Sequence, residues 1–177
     1  MRTAYAAMAA ALLAGCAMRA EDASPAGARP ADSRVALRAP DGSQRGTVSV
    51  IQTHGSLLVR VEGVNLPPGV HGAHIHSVGR CDAPDFASAG PHWNPSGRQH
   101  GRDNPAGAHL GDLPNLTVGA NGRGELEFDL PGGWVRRGAT PMLDADGASF
   151  VIHAAADDYR SDPSGNSGAR IACAVLR

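Results

Sequence analysis

Lysine is absent from the 177 residues, so all 16 basic side chains are arginine. Set against 17 acidic residues they leave a formal net charge of −1, too little positive charge for a nucleic-acid partner held by bulk electrostatics. Aromatic residues are scarce at 4%, while Gly (23) and Pro (13) are plentiful. That balance disfavours a helical bundle and favours short strands joined by turns. No apolar run reaches the length of about 18 residues that a membrane-spanning helix needs. Cysteine is limited to Cys16, Cys81 and Cys173. Histidine, by contrast, occurs 8 times, and its placement carries most of the chemistry.

The N-terminus reads as an address. Met1-Arg2 supplies one cation, residues 4–14 form a short apolar run, and Leu13-Ala14-Gly15-Cys16 follows. This resembles a bacterial lipobox, in which the cysteine sulfur is acylated and the chain is cut just before it. On that reading residues 1–15 are a signal peptide and Cys16 carries a lipid anchor; the alternative is an ordinary secretory signal cut a residue or so later. Cysteine parity agrees with the lipobox, because Cys81 and Cys173 then remain as one pair in an exported protein. Several acyl chains on one cysteine would hold the protein stably on a membrane. Ala17 lacks the acidic character of an inner-membrane retention signal, which points to the outer membrane and a place in the periplasm or cell envelope. Residues 16–33 have almost no bulky apolar side chain and read as a flexible tether, spanning roughly 20–25 Å as a random coil. The folded domain is expected over 34–177.

From residue 34 onward, β-type runs alternate with turn clusters. Strands are expected over 35–39, 46–52, 57–64, 72–77, 116–118, 124–130, 149–154 and 170–176, with a hairpin turn at His54-Gly55-Ser56 and a break at Pro67-Pro68-Gly69. The stretch 79–114 has no periodic segment. A loop that long in a compact domain is functional or disordered, and metal ions or a disulfide would be needed to hold it. The fold class is therefore all-β: a Greek-key barrel or immunoglobulin-like antiparallel sandwich of about eight strands with long metal-binding loops.

Six histidines fall between residues 71 and 109. His74 and His76 stand at i and i+2 on a strand, so both rings leave the same face and form half of a preorganised site. His153 ends another apolar strand, where a lone imidazole would need a partner. His92, His100, His109 and Asp112 lie in the long loop. Neutral imidazoles suit copper and zinc, and an added carboxylate suits zinc. His54 sits outside the cluster in a polar turn. His71, three residues before His74, would face away from it and is read as packing or hydrogen-bonding support.

Several of these segments together resemble the copper–zinc superoxide dismutase family: Gly72-Ala73-His74-Ile75-His76, Gly90-Pro91-His92-Trp93-Asn94-Pro95, His100, His109, Gly111 and Asp112 at their spacings, Phe150 to His153 followed by Asp157-Asp158, and Gly165 to Cys173. The resemblance implies copper held by His74, His76, His92 and His153, and zinc held by His92, His100, His109 and Asp112. It implies that His92 bridges the metals, that Asp157 joins His74 to His100, that Arg170 lines the copper channel and attracts the anion, and that Cys81 and Cys173 form a disulfide. The implied reaction is disproportionation of superoxide to oxygen and hydrogen peroxide, with His92 and Arg170 catalytic, protecting the cell envelope; the protein would be a homodimer or a monomer. Three features depart from the family pattern. Ala73 replaces an aromatic, the segment 158–165 is short for the loop that shapes the electrostatic funnel, and steering without lysine would rest on Arg170 with Arg160. Among rival readings, a copper carrier would want Met- or Cys-rich exchangeable ligands, and the four Met are scattered. A degenerate family member would lack a ligand or the channel arginine. A zinc hydrolase would want a general base near the paired histidines, and no Glu is close to them.

Overall fold

The computed structural model describes residues 34–139 and 141–177. The expected signal peptide (1–15), Cys16 and the tether (16–33) lie outside the described residues. Among the described residues nine strands follow in order: β1 (Val35–Arg38), β2 (Gln44–Gln52), β3 (Ser56–Gly63), β4 (Gly69–His71), β5 (Ala73–His76), β6 (Leu116–Val118), β7 (Gly124–Pro131), β8 (Ala148–His153) and β9 (Arg170–Leu176). Seven pair antiparallel in the order β5-β8-β9-β1-β2-β3-β7, giving a curled half-barrel, and β4 pairs with β6 in a small second sheet. β4 was not expected from the sequence. It has only three residues, directly after Pro67-Pro68, and too little alternation to register.

Strand formation follows from period-two patterning. In β3, Leu57, Val59 and Val61 are buried to within 1% while Arg60 and Glu62, which alternate with them, face solvent. Register is locked on the outer face as well: Arg60 opposes Glu127 of β7, and their side chains meet at 2.7 Å.

β5 and β8 are different, being buried at every residue. Pairing explains this. Ala73, Ile75, Phe150, Ile152, Ala172 and Ala174 share one face and join the main core. His74, His76, Val151, His153 and Cys173 share the other, which is covered by the long loop rather than by water. That loop runs along the free edge of β5. Ile75 N donates to Gly111 O (2.9 Å), Trp93 N to Ile75 O (2.8 Å) and Leu113 N to Ala73 O (3.2 Å). A side chain at residue 111 would put its Cβ 2.3 Å from Ile75 O, so only glycine permits this approach. Cys81–Cys173 forms a disulfide across 92 residues and ties the loop to β9, with Phe86, Ala89 and Val151 packed beside it.

β9 carries one irregularity. Ile152 pairs with Ala172, but His153 pairs with Arg170, leaving Ile171 as an extra residue. The bulge changes the phase of the strand. Residues three apart on a regular strand face opposite ways, yet Arg170 and Cys173 both lie on the loop-covered face.

Candidate metal centre

Four histidines of that face and loop, His74, His76, His92 and His153, bring ligating atoms within 4.8 Å of one another. In each ring one nitrogen is held by the protein. His74 Nε2 meets Asp157 Oδ2 at 2.7 Å, His76 Nδ1 meets Gly90 O at 2.8 Å, His92 Nδ1 meets Asp112 Oδ1 at 2.8 Å, and His153 Nδ1 meets Gly168 O at 3.0 Å. The opposite nitrogens (His74 Nδ1, His76 Nε2, His92 Nε2 and His153 Nε2) are buried and make no hydrogen bond among the described residues. Buried ring nitrogens without partners are costly unless something else satisfies them. Four of them in one place, with every ring oriented from behind, fit a metal that prefers imidazole.

The second cluster gathers around a carboxylate. Asp112 Oδ1 stands 2.8 Å from His92 Nδ1, 3.0 Å from His100 Nδ1 and 3.1 Å from His109 Nδ1. Three imidazoles and one carboxylate suit a tetrahedral zinc ion. His92 touches both groups, offering Nε2 to the first and Nδ1 to the second; the ligating atoms of His74 also lie within 4.8 Å of those of His92, His100 and Asp112, whereas His109 joins through its contact with Asp112.

Asp157 links the two from behind. Its Oδ2 meets His74, and its Oδ1 accepts from His100 Nε2 (2.9 Å) and Tyr159 N (2.7 Å). Asn115, unnoticed in the sequence, clasps the Asp157 main chain from both sides: Nδ2 donates to its carbonyl and Oδ1 accepts from its N–H, each at 2.9 Å. Gly165 passes so close that a Cβ there would lie 1.9 Å from Asp157 Oδ1. Nothing in one sequence marks Asn115, because a lone Asn in a loop has too many ordinary uses. His71 is buried in a supporting position, Nδ1 2.8 Å from the His153 carbonyl and Nε2 2.9 Å from the Pro67 carbonyl. His54 lies in the exposed turn between β2 and β3, away from both clusters.

Arg170 is partly buried, and its guanidinium is fixed by two carbonyls of the disulfide-tied loop, Phe86 O (2.6 Å) and Gly90 O (2.8 Å). Gly90 O thus serves both His76 and Arg170. An open cavity of about 910 Å³ leads down to His76, His92, His153 and Arg170. Arg98 also lines it and Arg160 does not, so the second cation of this cleft differs from the one expected.

Burial holds the rings of His74, His76 and His153 neutral, pulling them down to about 3, 2 and 4. It lowers His92 as well, against the pull of Asp112. Burial also opposes charge on His100, but the carboxylates of Asp112 and Asp157 outweigh it and push that ring up to about 9. Asp112 and Asp157 are held well below the usual carboxylate range: burial would raise them, and the surrounding imidazole hydrogen bonds overcome it. The signs give the metal-free protein a stability maximum. The three depressed histidines contribute fully above 6.5, and that contribution is lost as pH falls from 6.5 towards about 4 for His153, 3 for His74 and 2 for His76. The raised His100 contributes fully below 6.5, and its share is lost as pH climbs towards 9. Thermal melts of chelator-treated protein should peak near neutrality and fall on both sides, by about 1.4 kcal/mol per pH unit for each group inside its window. A flat profile across the acid limb would contradict neutral buried rings.

A family model described as copper/zinc superoxide dismutase matches residues 44–176. A superoxide dismutase [Cu-Zn] of Aquifex aeolicus is 42% identical over 138 residues, covering 77% of this chain and 82% of that protein. The superoxide dismutase-like protein YojM of Bacillus subtilis is 47% identical over 120 residues, covering 67% of this chain and 61% of that one. Among solved structures, a SOD-like protein from Bacillus subtilis superposes with a TM-score of 0.78 at 41% identity, over 82% of this chain and 98% of that one. The Cu/Zn superoxide dismutase from Brucella abortus superposes with a TM-score of 0.63 at 30% identity, over 81% and 98%.

Proposed function

The chain belongs to the copper/zinc superoxide dismutase family, and on that premise we propose that it disproportionates superoxide: two superoxide anions and two protons give one oxygen and one hydrogen peroxide. The observation that carries this reading is the set of four buried, unpartnered ring nitrogens on His74, His76, His92 and His153, each ring oriented through its other nitrogen. These four residues would hold copper; His92, His100, His109 and Asp112 would hold zinc. When bound, copper supplies a one-electron redox couple and zinc a fixed positive charge and template. Arg170, always cationic, draws the anion down the cleft and orients it beside the four rings. His92 Nε2 holds a proton in one half of the cycle and gives it up to the departing peroxide in the other; the second proton comes from water. Asp157 keeps His74 and His100 in one tautomer and orientation.

The test is metal analysis with a superoxide-decay assay on the purified protein. The expected result is a copper and a zinc ion per chain and fast catalysed decay. Full metal content without catalysis would overturn the reading in favour of a member that keeps the fold and sites without the activity, a reading the superoxide dismutase-like name of the Bacillus subtilis relative favours.

The export reading belongs to the same proposal. The Cys81–Cys173 disulfide suits an oxidising compartment, and an extracellular superoxide dismutase of Onchocerca volvulus is 35% identical over 156 residues. Lipid on Cys16 would hold the enzyme at the cell envelope, with the outer membrane favoured. A Cys16→Ser variant is expected to lose acylation and leave the membrane fraction. Wild-type protein carrying no lipid by mass spectrometry ends that reading.

A further inference from the structure

The cleft above the histidines is lined by two arginines, Arg98 and Arg170, and two aspartates, Asp85 and Asp162. Each of the four also makes a hydrogen bond within the protein. Arg170 is tied to Phe86 O and Gly90 O, and Asp162 Oδ1 accepts from His100 N at 2.6 Å. Arg98, Asp85 and Asp162 are exposed, and Arg170 is half-buried.

Arg98 is held in place through its backbone. Asn94 Oδ1 accepts from Arg98 N at 3.0 Å, and Asn94 Nδ2 donates to Arg98 O at 2.7 Å. Its guanidinium donates to Gly107 O at 2.9 Å, and among the described residues it forms no ion pair. The side chain is thus anchored, charged and unneutralised on the cleft wall. Asp85 comes from the part of the same long loop nearer the disulfide, where its Oδ1 caps Ala87 N at 2.9 Å.

We propose that Arg98 is a second anion-steering residue of this cleft, working with Arg170 and against Asp85 and Asp162, so that the balance of these four charges sets how fast a small anion reaches the histidine cluster. The inference rests on the reading that the cleft admits an anion. Physically, a unit charge about 10 Å from an approaching monovalent anion is worth roughly two-fold in water, and more where low-dielectric walls focus the field. Salt near 0.5 M should remove most of that effect for exposed groups.

The experiment measures azide association with the copper- and zinc-loaded protein by stopped-flow absorbance, at low and high ionic strength, with superoxide kcat/KM alongside. Arg98→Gln is expected to slow azide association about two- to four-fold at low salt. Asp85→Asn keeps an acceptor for Ala87 N while removing the charge, and is expected to speed association by a similar factor. Both should converge on wild type at high salt. Arg160→Gln removes a cation that does not line the cleft and should change nothing. Arg98→Gln behaving like Arg160→Gln, or a deficit in Arg98→Gln that persists undiminished at high salt, overturns the proposal. Azide rates that shift as expected in a protein that consumes no superoxide leave the steering role standing and remove the enzymatic reading instead.

Discussion

Arg170→Ala is expected to lower kcat/KM for superoxide by about ten- to a hundred-fold, with both metals retained and the salt dependence flattened. The magnitude follows from what the guanidinium does. Of its five N–H donors, Nη1 and Nη2 supply those that reach Phe86 O and Gly90 O, and the rest remain for the cleft. Losing one preorganised donor to a charged reactant costs about 10²–10³ in rate in other enzymes, and cationic focusing alone raises association about 10–10³-fold. Superoxide carries a single charge in a wide cleft, so the lower part of those ranges applies. Arg170 is no ligand, which is why metal content should be unchanged. Arg170→Lys keeps the charge but cannot span both carbonyls at once, and should fall between wild type and alanine. Kinetics indistinguishable from wild type for Arg170→Ala would remove this residue from the mechanism.

Cys81→Ser is expected to lower the melting temperature by about 10–20 °C. The closed loop of 92 residues corresponds to about 4–5 kcal/mol in the chain-entropy account, and a domain of this size shifts by about 2–4 °C per kcal/mol. Activity should fall as well, since the loop that loses its covalent tie also carries Phe86 O and Gly90 O, the two acceptors holding Arg170. The measurement is calorimetry of wild type with and without reductant, beside the variant. Identical curves in all three would contradict a stabilising disulfide.

Much of the candidate site was legible because it depends on short-range spacing. His74 and His76 share a face because a strand repeats every two residues, and β5 places them there. The long loop was recognisable by its lack of period. What could not be read was the support. The loop is held against the edge of β5 by main-chain hydrogen bonds at Ile75, Trp93 and Leu113, and backbone groups leave no trace in residue type. Asn115 and Asp157 lie 42 positions apart, and only the fold brings them together. Arg98 escaped notice for a related reason: the local turn around Asn94 determines which exposed arginine faces the cleft, and sequence distance from the expected ligands does not. In the fold, β4 was missed because three residues beside two prolines carry no pattern.

The unpaired Ile171 has a consequence for anyone rebuilding this protein. Counting along an ideal strand, position 173 and position 170 would look out of opposite windows. The loop would then be stapled on one side while its arginine handle hung on the other. A replacement segment of the same length and composition, but of regular pleat, would keep the cysteine bridge and lose the guanidinium, or the reverse. Transplants of the final strand must therefore carry its hiccup along with its residues.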